Sequence, residues 1–80
     1  MDPKAVANLI EQGLPDATVE VRTDGAGHYE ATVISSVFDG KRSLRRHQLV
    51  YGTLGRLVGS EIHALNLKTF TPEEWRSQAT

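Results

Sequence analysis

Behind Asp2-Pro3, the apolar residues Val6, Leu9 and Ile10 recur at the spacing of one helical face. Asp can cap the free amides of a first turn and proline has no N–H to lose there, so a helix is predicted to begin at this point. Gly13, with Pro15 two residues beyond, predicts its end. Ala17, Val19 and Val21 then alternate with Thr18, Glu20 and Arg22, the period of a half-buried strand. Asp24-Gly25-Ala26-Gly27 reads as a turn. Alternation resumes over 28–37, with Tyr29, Ala31, Val33 and Val37 on one face and His28, Glu30 and Thr32 on the other. Two strands joined by a Gly-rich loop predict an antiparallel hairpin.

After Phe38-Asp39-Gly40-Lys41, Ser43 is the candidate cap of a helix reaching Val58, with Leu44, His47, Val50, Tyr51, Leu54, Leu57 and Val58 as its apolar stripe. Gly52 and Gly55 inside that stretch each cost about 1 kcal/mol relative to alanine. They predict either a close backbone contact or a break into two short helices. A third strand is expected over 62–70, carrying Ile62, Leu65, Leu67 and Phe70, and Thr71-Pro72-Glu73-Glu74-Trp75 opens a last short helix. The predicted order is α-β-β-α(α)-β-α: a single α+β domain over 1–80, with a three-stranded mixed sheet and helices packed on one face.

A helical crossover between the second and third strands predicts parallel neighbours, right-handed in roughly 98% of such connections. Parallel strands begin at the same edge, about 5 Å apart, so His28 and His63 are expected at one end of the sheet. Strict alternation puts His63 in phase with Leu65 and Leu67, and His28 in phase with Glu30 and Thr32. Unless the start of the strand is irregular, the two rings point to opposite faces.

Composition narrows the possibilities. Eighty residues allow one small core. With no cysteine, this chain alone carries no disulfide, zinc finger, redox pair or thiolate nucleophile. Hydrophobic and charged fractions of 39% and 24% are those of a globular chain. No apolar run approaches the ~20 residues of a membrane span. Met1-Asp2-Pro3-Lys4 has neither the basic start nor the apolar core of a secretory signal, so a cytoplasmic domain is expected. The net charge of -1 conceals an asymmetry, -5 over residues 1–40 and +4 over 41–80. Lys41, Arg42, Arg45, Arg46 and Arg56 form a run without an acid among them. Such a patch on a near-neutral chain points to a specific anionic partner surface, or to a solvated helix face.

No G-x-S-x-G elbow, P-loop or dinucleotide fingerprint is present, and a pocket enclosing a substrate would compete with so small a core, so a non-enzymatic role is expected. His28 and His63 suit soft or borderline metals as neutral imidazoles, but two ligands do not close a tetrahedral site. A ligand pair and two ordinary surface histidines stand level on this reading. His47 falls on the apolar stripe and is predicted to be a packed, hydrogen-bonded residue. Lys41, Arg42, Arg45 and Arg46 crowd the start of a helix, where cations oppose the macrodipole at about 0.3–1 kcal/mol each. With the free amides there, they would suit a phosphate, a carboxylate or an acidic surface. Trp75 and Tyr51 are predicted to be core residues.

Three segments in order resemble the BolA family over nearly the whole chain. They are Gly27-His28-Tyr29, the stretch from Phe38-Asp39-Gly40 through Arg45-Arg46-His47-Gln48-Leu49-Val50-Tyr51, and Ile62-His63-Ala64-Leu65 through Lys68-Thr69-Phe70-Thr71-Pro72-Glu73-Glu74-Trp75. The resemblance implies a fold like the class II KH domain, although the GxxG loop with which a KH module clamps a nucleic-acid backbone is not expected in this chain. It also implies a monothiol glutaredoxin partner and a shared [2Fe-2S] cluster. The partner and glutathione would supply sulfur ligands, while this chain, of the histidine-loop type, would supply His63 and His28 and hold no stable cluster alone. The basic helix over 41–58 would then be available to dock the partner or the glutathione carboxylates. Family members are also described as DNA-binding transcriptional regulators of stress response and cell morphology, which would place DNA on Lys41, Arg42, Arg45 and Arg46. Tyr51-Gly52-Thr53-Leu54 is compatible with the acid-stress IbaG-like branch and Arg46-His47 with BolA proper. The chain alone is expected to be a monomer or a weak homodimer.

Overall fold

A computed structural model describes residues 1–79. Helix α1 spans Pro3–Gly13, and Asp2 caps it by accepting the Lys4 amide at 2.9 Å. Strands β1 (Thr18–Thr23) and β2 (His28–Ile34) form the predicted antiparallel hairpin. A 3-10 turn at Ser36–Phe38 leads to helix α2 (Ser43–Leu54), a second 3-10 turn at Gly55–Leu57, strand β3 (Ala64–Phe70) and helix α3 (Pro72–Ala79). The sheet order is β1-β2-β3, with β2 and β3 parallel in the register His28↔Ala64 to Ile34↔Phe70.

Helices α1 and α2 cover one face of the sheet. Val6 and Ile10 of α1, Val50 and Leu54 of α2, and Ala31, Val33 and Leu67 of the strands meet there, joined by Phe38 and Ile62 from the connections. The two helices approach closely: a Cβ on Gly13 would fall 2.4 Å from Thr53 Cγ2. Gly13 therefore does more than end α1. It sets the roll of α2 by letting Thr53 lie against it.

That roll corrects the predicted stripe. Val50 and Leu54 are buried, with Leu49 and Leu57 packed against the core, but Leu44 is 73% exposed and Tyr51 is also exposed. The helix is not capped by Ser43. Arg42 occupies the cap position and, among the described residues, makes no side-chain capping hydrogen bond. The chain breaks at Gly55, whose φ of 57° is left-handed and whose N–H closes onto Tyr51 O. Gly52 meets nothing within 4 Å, so of the two explanations for these glycines the break is the one observed.

Strand β2 stops at Ile34, short of the predicted 37, because Ser35 turns its hydroxyl to the backbone. Ser35 Oγ accepts the Val37 amide at 3.2 Å and donates to Asp16 Oδ1 at 2.7 Å, while its own N–H continues the ladder onto Phe70 O. Asp16 also accepts the Ser36 amide and hydroxyl, and these bonds, the Ser36 hydroxyl foremost, hold its carboxyl below the usual range.

Helix α3 begins with the predicted reciprocal cap. The Glu74 amide donates to Thr71 Oγ1 at 3.1 Å and the Thr71 amide to Glu74 Oε1 at 2.8 Å. Trp75, expected in the core, is instead 39% exposed and lies edge-on to Phe70, ring centroids 5.2 Å apart. Phe70 shares its face with Ile34 and Thr32, the side of the sheet that α1 and α2 leave open, so Trp75 shields that surface from outside.

Arg46 joins these parts. Its guanidinium makes two bonds to Glu74, at 2.7 and 3.1 Å, its Nε donates to Lys41 O, and it lies 5.8 Å from the Phe38 ring centroid. The bidentate pair, with the Thr71 amide second in effect, pulls the Glu74 carboxyl down to about 2 from an ordinary 4.5. A folded-state pKa below the unfolded one contributes stability that is complete above about 4.5 and lost as pH falls towards about 2. Urea unfolding at stepped pH should therefore show wild type losing stability more steeply than Glu74→Gln across that window, the two curves converging at its acid end. Parallel curves would mean that the pair contributes nothing.

Candidate functional site

The loop between β1 and β2 is built by its backbone amides. Gly25 and Gly27 have φ of 84° and 88°, conformations open to glycine at little cost. Asp24 Oδ1 accepts the Ala26 amide at 2.8 Å, and Thr23 Oγ1 accepts the Gly25 amide while donating to His28 O. The other carboxylate oxygen, Oδ2, lies 2.9 Å from His28 Nδ1. The Ala26 amide first, and then His28, hold the Asp24 carboxyl below its ordinary range. His28 is well exposed, its side chain at 64%, on the open face of the sheet with Glu30 and Thr32.

His63 is brought to the same end. Its amide and that of Ala64 both donate to Gly27 O, at 2.9 and 3.2 Å, and Ala64 stands opposite His28 in the ladder. Ile62, fully buried, and a bridge between Val58 and Ile62 anchor the segment just before it. The strand therefore starts at Ala64 and not at 62. The exposed His63 ring fills the place a side chain on residue 27 would take, since a Cβ on Gly27 would fall 2.4 Å from His63 Cδ2. The topology thus brings both histidines to one sheet end. Among the described residues no group of three or more His, Cys, Asp or Glu is placed to hold a metal.

The basic run separates into two kinds of residue. Arg46 is 12% exposed and bound to Glu74, and Lys41 Nζ donates to Val37 O at 2.7 Å, so both serve the fold. Arg42 and Arg45 are exposed at the start of α2, beside its uncapped amides. His47 is half-buried and meets the exposed Tyr51 edge-on, centroids 6.5 Å apart, but among the described residues its ring makes no hydrogen bond, so only the packing half of the expectation is seen. Gly52-Thr53-Leu54-Gly55 does spell G-x-x-G, but it is the last turn of α2. Leu54 is buried, Thr53 Oγ1 donates to Val50 O, and the backbone is helical up to Gly55. It offers no open loop of amides to a nucleic-acid backbone.

The Asp24–His28 contact and the internal bonds of Arg46 were not anticipated from the sequence. A carboxylate four residues before a histidine, inside a glycine turn, is the signal by which the first could have been found. Nothing short of the tertiary fold pairs Arg46 with Glu74.

Fold and site together describe a small α+β binding domain with two histidines at one sheet end and a two-arginine helix start. The BolA-like protein family matches residues 8–74, and the chain belongs to that family. It is 31% identical to human BolA-like protein 1 over 94% of this chain, spanning 61% of that longer protein. It is 30% identical to acid stress protein IbaG of Escherichia coli, covering 94% of this chain and 89% of IbaG. A 51-residue stretch, 64% of this chain and 50% of the relative, is 41% identical to the DNA-binding transcriptional regulator BolA of Haemophilus influenzae. The structure of a BolA homologue from Coxiella burnetii superposes with a TM-score of 0.85 at 42% identity, over 95% of this chain and 97% of that one.

Gly27 is the joint of the site, and Gly27→Ala tests it. The new Cβ meets the His63 ring in a left-handed backbone conformation, which should cost about 1–3 kcal/mol. Denaturant unfolding should show that loss and NMR a shifted His63 ring, with the β1–β2 ladder retained. An unmoved His63 would show that the ring does not depend on residue 27.

Proposed function

We propose that this chain is a non-enzymatic adaptor that binds a monothiol glutaredoxin and, with it, holds a [2Fe-2S] cluster for iron–sulfur trafficking or iron and redox signalling. The observation that supports this reading is the pair of exposed imidazoles at one end of the sheet, His63 held against Gly27 and His28 oriented by a carboxylate. The donor set fits half of such a site. His28 and His63 would hold the cluster here, and a chain without cysteine leaves every sulfur ligand to the glutaredoxin and its glutathione. Imidazole in place of thiolate raises a cluster's potential, which is the chemistry such a site would supply. Recognition then rests on an exposed sheet end and not on an enclosed pocket. No helix among the described residues is long and apolar enough to cross a membrane, and a cytoplasmic partner is the one this reading needs.

Anaerobic reconstitution with a monothiol glutaredoxin and glutathione should give visible absorption and circular dichroism that change in His28→Ala and His63→Ala, with no stable cluster on the isolated chain. Unchanged spectra in both variants would sink the assignment.

A second reading, DNA binding for transcriptional regulation, is favoured by the exposed Arg42 and Arg45 beside free helix amides and by the name of the Haemophilus relative. Lys41 and Arg46 contribute less than their charge implies, because both are spent internally. Here Arg42→Ala/Arg45→Ala should flatten the dependence of log affinity on log salt by about 2. An unaltered slope would remove this reading. Arg46→Ala is a poor probe, since it loosens the fold.

A further inference from the structure

We infer that Asp24 is a positioning residue that presents Nε2 of His28 as the ligating nitrogen. This rests on the adaptor reading above and goes beyond it by naming the atom and the group that selects it. An aspartate is an acceptor only at neutral pH. Asp24 Oδ2, 2.9 Å from His28 Nδ1, therefore requires the proton on Nδ1 and leaves the Nε2 lone pair facing outward. The carboxylate is itself fixed, because Oδ1 accepts the Ala26 amide and Thr23 Oγ1 braces both Gly25 N–H and His28 O. The Gly-rich turn thus serves a purpose beyond reversing the chain: it aims one carboxylate at one ring nitrogen. A carboxylate behind a ligating imidazole fixes the tautomer and increases the donor's basicity. Among the described residues His63 has no such carboxylate partner, its ring being placed by contact with Gly27. The two histidines are consequently unlike donors.

Long-range proton–nitrogen NMR of the isolated, full-length chain, above the pH at which imidazole titrates, reads the tautomers directly. His28 is expected as the Nδ1–H form. Asp24→Asn should invert it: the amide oxygen stays with the Ala26 N–H, so the NH2 group faces Nδ1 and drives the proton to Nε2. In the reconstituted complex, Asp24→Asn should lose its cluster to a chelator about tenfold faster or more. Wild-type His28 in the Nε2–H form, or a variant with unchanged tautomer and chelator kinetics, overturns the inference. If His28→Ala alters the complex and Asp24→Asn does not, Asp24 alone is excluded. If neither alters it, the assignment of His28 as a ligand has failed.

Discussion

The parallel ladder between β2 and β3 is the constraint on which the rest of this structure depends. A parallel pair cannot be closed by a tight turn, so the chain must cross over, and α2 with its two flanking turns is that crossover. The crossover is held only because Val50 and Leu54 bury against the sheet that it connects. Register is fixed by the same burial: a slip of one residue would exchange the buried Leu67 for Lys68. Both ends of the ladder then carry specific structures. At the start, Gly27 O gathers the amides of His63 and Ala64; at the finish, the Ser35 amide binds Phe70 O and Ser35 Oγ reaches Asp16.

The basic run shows how far charge counting departs from charge placement. Cations at a helix start oppose its dipole, which invites an external anion as their reason. For Arg46 the anion is internal. Glu74 meets it with two bonds, and the same carboxylate caps α3 through Thr71, so one pair locks the crossover to the last helix. Bidentate geometry on a guanidinium with 12% exposure makes this pair less screened than an ordinary surface bridge. What remains for a partner at the start of α2 is a patch of two arginines, with Arg56 exposed beyond the other end of that helix.

Periodicity made the element order, the hairpin and the parallel crossover legible, and cap chemistry at Asp2 and Thr71 placed two helix starts correctly. The roll of α2 was not legible. Apolar residues at 44, 47, 50, 51, 54, 57 and 58 wrap more than one face, and the choice between faces is made by Thr53 against Gly13, a contact forty residues apart in sequence. That choice exposes Leu44 and Tyr51. Trp75 was misread for a related reason: a large aromatic in a terminal helix can cover a sheet from outside as readily as fill a core, and only the position of Phe70 decides. The placement of His28 and His63 at one end of the sheet was legible because register dictates it. The setting of each ring was not, since it depends on a carboxylate and a missing Cβ.

The sheet also separates the two candidate surfaces. His28 opens β2 on the face that α1 and α2 leave open, whereas Arg42 and Arg45 follow its other end and begin a helix on the face those two helices cover. Six residue steps along β2 at about 3.3 Å each put roughly 20 Å between those ends. That is twice the distance over which physiological salt screens exposed charges, about 8–10 Å. Across such a span exposed charges exert little field on one another in physiological salt. An anion at α2 and a ligand at the histidines could be held together without competing. Any influence of one on the other would have to pass through the β2–β3 ladder, whose packing either holds its register or loses it, and not through the solvent between them.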